Sequence, residues 1–197
     1  PDSCKTSYNL GVALSECGKS SEAAEAFRKA VSINPDFVEA YNNLGITLSL
    51  AGEYEEALEA YEEGIKRDNR NFDLFFNMGM TLYQLGKYME AVSAYRNAID
   101  IKPEELEVYY YLGAVLTELR HYNDAIEAYK SALEVKPTDS ELHYNIAAIY
   151  SMLGRYDIAV ENLKRAIELN DEIRESVKNN KAFDGMRRRE DFARMVG

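Results

Sequence analysis

Residues 38–71 read VEAYNNLGITLSLAGEYEEALEAYEEGIKRDNRN, and their apolar spacing decides the architecture. Tyr41, Leu44 and Leu48 make one stripe at helical spacing; Tyr54, Ala57, Leu58, Tyr61 and Ile65 make another. Gly52 interrupts the pattern between them, where a residue without Cβ can end the first helix. The stretch therefore predicts helix, tight turn, helix. Neither helix can bury its stripe alone, so each must lean on the other and on neighbouring copies.

The copies lie 34 residues apart. Gly11, Gly45, Gly79 and Gly113 fall in register, with Ala147 at the fifth place; Ala23, Ala57, Ala91, Ala125 and Ala159 follow. Phe27, Tyr61, Tyr95, Tyr129 and Leu163 come next, then Ala30, Gly64, Ala98, Ala132 and Ala166. Pro35, Pro103 and Pro137 mark three repeat ends, with Asn69 and Asp171 in the other two. Proline there stops the second helix and restricts the residue before it. Small residues at the Gly45 and Ala57 places let paired helices approach, and the aromatic at the Tyr61 place is expected to fill the gap towards the next repeat. Departures are few: Ser7 stands where the pattern wants an aromatic, and Arg120 replaces the turn glycine.

This pattern resembles the tetratricopeptide repeat (TPR) family, in arrays of the bacterial type, over residues 4 to about 173. The resemblance implies an all-α, right-handed solenoid of helix-turn-helix units. The repeats are read as 4–37, 38–71, 72–105, 106–139 and 140–173, with no linker interrupting them. Residues 174–197 are read as capping helices. There Phe183, Met186, Phe192 and Met195 space like a short amphipathic piece and resemble the F-x-x-L ends of many bacterial arrays. A terminal repeat needs such a cover.

Composition narrows the function. A net charge of −11 argues against nucleic acid, which needs a basic stripe to meet phosphates. No apolar run approaches the roughly 20 residues of a membrane span. Cys4 and Cys17 lie about 20 Å apart along one predicted helix and cannot pair with each other. A reducing compartment is compatible with them, and the cytoplasm is the favoured location. Because the sequence opens on Pro1, a signal, anchor or further domain upstream would lie outside it.

For catalysis the sequence offers very little. It has no phosphate-cradling glycine loop with lysine, no H-E-x-x-H and no cysteine pair at metal spacing, so no enzyme, cofactor or metal site is expected. His143 reads as a packing substitution at the Tyr41 place, and His121 as a solvent-facing turn residue.

For binding there is more. The resemblance implies a concave groove lined by the first helices, its inward places being the second, fifth, sixth, ninth and twelfth of each repeat. The sixth place carries Asn9, Asn43, Asn77, Tyr111 and Asn145. A carboxamide has one acceptor and two donors and can pair with an extended peptide backbone. The carboxamides resemble the asparagine ladder in the TPR arm of O-linked N-acetylglucosamine transferases; the alternative is that each bonds within its own repeat. The fifth place carries Tyr8, Phe76, Tyr110 and Tyr144, with Asn42 in the second repeat. With Met80 and Tyr83, the aromatics of the third and fourth repeats would offer apolar anchors to a partner side chain, although packing between helices also explains such rings.

Glu39, Asp73, Glu107 and Glu141 at the second place would select a basic partner, or simply suit the positive end of their helix dipole. A carboxylate clamp of the co-chaperone kind is rejected, because acids stand where that motif needs lysine. The sequence thus predicts a protein-interaction scaffold binding an extended or helical segment, basic or apolar, of another protein. Two other classes compete. One is the substrate-recognition arm of a larger enzyme such as a glycosyltransferase, against which the capping tail argues. The other is self-association, through the basic tail of Lys178, Lys181 and Arg187 to Arg189.

Overall fold

Every stripe read from the sequence lies on a helix of the computed structural model, which describes residues 3–197. The first helices of the repeats are α1 (Cys4–Glu16), α3 (Val38–Leu50), α5 (Phe72–Gln84), α7 (Leu106–Glu118) and α9 (Ser140–Met152). The second helices are α2 (Ser20–Ile33), α4 (Tyr54–Arg67), α6 (Tyr88–Ile101), α8 (Tyr122–Val135) and α10 (Tyr156–Leu169). The tail forms α11 (Ile173–Asn179), a 3₁₀ segment (Lys181–Met186) and α12 (Glu190–Val196). Among the described residues there is no strand, and the fold is an all-helical solenoid of consecutive pairs.

The turn inside each pair has one backbone solution. Gly18, Gly52, Gly86 and Gly154 adopt φ of 71° to 82°, the left-handed region that costs an L-residue a Cβ clash. At the Gly52 turn, the Glu53 N–H reaches back to the Leu48 carbonyl (2.9 Å) and closes the helix end. Arg120 holds the same conformation, φ 59°, with a full side chain.

The packing separates into two compact units, one ending at Val108 and the next beginning at Tyr109, within α7. The first has a core of Ala23, Phe27, Leu44, Leu48, Ala57, Tyr61 and Leu74. The aromatic at the Tyr61 place lies over the glycine of its own repeat. A Cβ on Gly11 would sit 2.7 Å from the Phe27 ring, and one on Gly79 2.6 Å from the Tyr95 ring. The ring thus fills the space between paired helices, not only the gap towards the next repeat. Ser7, standing where the pattern wants an aromatic, is buried; the open flank of α1 is at Leu10, 55% exposed where Leu44 is 6%.

The second unit has its core between α9, α10 and the tail. Ala147, Ala159, Leu163 and Ile167 pack with Ile173, Val177, Phe183, Met186, Phe192 and Val196. Residues of the tail thereby cover the apolar flank of the last helix pair.

Candidate functional site

In the first unit the sixth-place carboxamides stitch one repeat to the one before. Asn43 Nδ2 donates to the Tyr8 hydroxyl (3.0 Å), and Asn77 Nδ2 donates to Asn42 Oδ1 (3.0 Å). The acceptor is the fifth place of the preceding repeat each time. A second stitch joins hydroxyls: Ser15 Oγ with Thr47 Oγ1 (3.4 Å), and Ser49 Oγ with Thr81 Oγ1 (3.1 Å). The asparagines therefore bond between repeats, which neither reading of the sequence anticipated. Each uses one N–H, so its second N–H and the Oδ1 of Asn43 and Asn77 stay available to a ligand. Asn9, in the first repeat, is exposed.

Beside Asn43 the same face opens a cavity of about 190 Å³. Val12, Ile46 and Leu50 give it apolar walls, Phe27 lines it, and Glu16 and Ser15 supply polar atoms. It is smaller than the ~300 Å³ and upward of a drug-sized site and suits one side chain. Leu50, 81% exposed, projects at its edge. Leu50 was not among the groove residues expected; its exposure at the end of an inner helix is the signal that only the structure supplies.

The aromatics of α5 are held by their neighbours. Phe76 stacks on Phe72 (ring centroids 5.5 Å) and tilts against Tyr95 (6.1 Å); Tyr83 tilts against Tyr88 (5.5 Å). Phe76, Met80 and Tyr83 are all half-buried, so each keeps one side towards solvent. Tyr8 packs on Phe27 and Phe37 at 5.7 and 4.8 Å.

In the second unit the expected residues divide. The Tyr110 hydroxyl donates to the Asp139 carboxylate, which also accepts from Lys136 Nζ (2.9 Å) and from the Glu141 and Leu142 N–H groups (3.1 and 3.2 Å). Burial, and then this carboxylate, push the Tyr110 phenol far above its ordinary range. Burial opposes the Asp139 charge, but its donors together outweigh it and hold the carboxyl below the usual range. Burial likewise raises the Tyr129 phenol to about 12, partly offset by Thr117. Tyr110 is thus committed to capping α9. Asn145 consequently makes no hydrogen bond to another described residue and is half-buried, as is Tyr111.

Tyr144 is taken by the tail. Its hydroxyl accepts from Asn180 Nδ2 (2.7 Å), its ring lies 5.7 Å from Phe183, and Ser151 Oγ donates to the Ala182 carbonyl (2.7 Å). The first is the carboxamide–phenol stitch of the first unit, and in the second a backbone carbonyl takes the place of the threonine hydroxyl, with the strap 180–186 standing in for a further first helix. The basic tail is largely neutralised within the unit: Lys178 pairs with Glu175, Arg187 with Asp184, and Arg189 with Asp157 and Asp191. His143 Nε2 lies 3.4 Å from the Pro137 carbonyl, while its buried Nδ1 has no partner. Among the described residues no group of His, Cys, Asp or Glu gathers as a metal site, and no helix is long and apolar enough to cross a membrane.

Comparison with known proteins places this geometry. A TPR repeat model matches residues 50–86, 79–119 and 115–154, and further tetratricopeptide repeat models match 26–59, 5–37 and 140–172. No curated protein matches the chain. Among solved structures, a crystal structure of MamA is similar at 24% identity and TM-score 0.79, covering 86% of this chain and 92% of its own. MamA from Desulfovibrio magneticus RS-1 is similar at 20% identity and TM-score 0.77, with 87% and 97% covered. YrrB, described as a TPR protein with an unusual peptide-binding site, is similar at 22% identity and TM-score 0.72, with 84% and 86% covered. At these identities the likeness is one of fold. Five repeats in register and matching models along their length lead to one conclusion: the chain belongs to the tetratricopeptide repeat family.

Proposed function

We propose that this protein is an interaction scaffold that takes a segment of a partner protein on the inner face of its first unit. The observation that carries the reading is the side-by-side placement of half-used carboxamides and a one-side-chain cavity. Asn43 and Asn77 are pinned by one N–H each, so their remaining polar atoms are already oriented for a peptide backbone. The cavity of Val12, Ile46 and Leu50 then receives an apolar side chain. Glu16 at that cavity, with exposed Glu39 and Asp73 on the first helices, favours a segment that also carries lysine or arginine. The peptide-binding site of YrrB supports the reading by analogy of fold.

The test is selection from a random peptide library on the full chain, followed by binding of the recovered peptides to N43A and I46E variants. Recovered peptides should combine an apolar with a basic residue and bind either variant about tenfold less well, equivalent to ~1.4 kcal/mol. Their affinity should also fall as salt rises. Peptides bound equally by parent and both variants, or no recovered peptide at all, would remove this reading.

A further inference from the structure

The five repeats serve as controls for one another, and the turn edge of the second unit departs from them. At the fifteenth place four repeats carry glycine in the left-handed conformation, while the fourth keeps Arg120 there at φ 59°. At the nineteenth place Glu22, Glu56, Glu90 and Asp124 recur, and the fifth repeat has Ile158 instead, 39% exposed. Met152 and Leu153, on the other side of the same turn as Ile158, are 43% and 37% exposed. Relative to the repeating pattern, this edge has gained a cation and exchanged an anion for an exposed aliphatic side chain.

A groove of about 470 Å³ runs between the two turns, lined by residues 120–124 and Leu153. Arg120 stands in that lining, and Arg155 follows Leu153 by two residues. Neither guanidinium has a carboxylate partner among the described residues; of the unit's other arginines, Arg165, Arg174, Arg187, Arg189 and Arg194 each hold one and Arg188 does not. Of the nearby acids, Asp157 holds Arg189, and Asp124, also in the lining, lies 3.8 Å from His121 Nδ1. In a chain of net charge −11, two guanidiniums without a carboxylate partner thus stand beside exposed aliphatic side chains.

From this we infer that the turn edge formed by Arg120, Arg155, Met152, Leu153 and Ile158 docks an acidic protein segment bearing a large apolar side chain. A guanidinium fork matches a carboxylate in geometry as well as charge. The aliphatic patch beside it shields that pair from water, which strengthens it, and supplies the apolar contact. This surface is separate from the inner face proposed above and of opposite preference, so the two can be occupied by different segments.

The experiment titrates the full chain against three labelled synthetic peptides: one of alternating Glu and Leu, one of Glu and Ser, one of Lys and Leu. The variant R120G/I158E gives the fourth and fifth repeats the residues that the others carry, so its thermal midpoint should not fall below the parent's. The Glu-Leu peptide should bind the parent and bind R120G/I158E about tenfold more weakly, the loss of a charge-assisted pair and its apolar contact. The I46E variant should bind that peptide as the parent does. Equal binding by parent and R120G/I158E, equal binding of the Glu-Ser peptide, an equal loss in I46E, or no binding of the Glu-Leu peptide would each overturn the inference.

Discussion

At the scale of single residues the helix pairs are closed by complementary volumes. Gly11, Gly45, Gly79 and Gly113 each face a ring from the second helix of their own repeat. Where the ring is replaced by Leu163, the glycine is replaced by Ala147, and both stay fully buried. The extra methyl on one side answers the smaller side chain on the other, as dense packing requires. G45A should therefore cost about 1–3 kcal/mol through overpacking against Tyr61. The double variant G45A/Y61L should recover part of that loss, because it recreates the fifth repeat's pair. Urea unfolding of parent, single and double variants measures this; a double variant no better than the single would refute it. The sequence displayed these places in register, since a fixed period repeats the same environment. It assigned each ring only to the gap towards the next repeat, because periodicity gives a place without a direction.

Asp139 governs matters at the scale of the element. It stands just before α9 and ties the helix's first N–H groups to Lys136 and Tyr110. The sequence marked it only as the last residue of a repeat, because its partner on α7 lies 29 positions back and follows no period. That same partnership gives Tyr110, expected as a groove anchor, a structural role through its hydroxyl. The carboxyl is held below its usual range in the folded state, so its contribution is complete above the ordinary value of about 3.9 and is lost as pH falls through the lower folded value. D139N should lower stability at neutral pH by about 1–2 kcal/mol, through weakened charge-assisted bonds to a buried site. It should also flatten the decline of stability below about pH 4. Denaturant midpoints of parent and D139N across the acid range decide this; identical acid slopes would show that Asp139 is not the group responsible.

For the whole molecule, stability is local, since each repeat contacts chiefly its neighbours. Phe183 is fully buried in the second unit although it belongs to the tail. F183A should cost about 3–5 kcal/mol there. Hydrogen exchange should quicken in α9 and α10 while α1 to α4 keep their protection. Uniform quickening throughout the chain would contradict this picture. The apolar spacing of the tail was readable in advance, in the i, i+3 pairs Phe183 with Met186 and Phe192 with Met195. The strap's hydrogen bonds were not, because Asn180 and Tyr144 are 36 apart, outside the repeat, and the strap is 3₁₀ rather than α.

That strap has a consequence for how such a chain can change length. Its contact with Tyr144 uses the carboxamide-to-phenol bond that joins Asn43 to Tyr8, and Ser151 bonds to its backbone carbonyl where Ser15 meets the Thr47 hydroxyl. The strap is thus held by the same fifth- and twelfth-place side chains that hold a following repeat in the first unit. Duplicating or deleting an internal unit would leave Tyr144 and Ser151, and the strap they hold, unaltered. Copy number and the seating of the strap are thereby separate properties of this polypeptide.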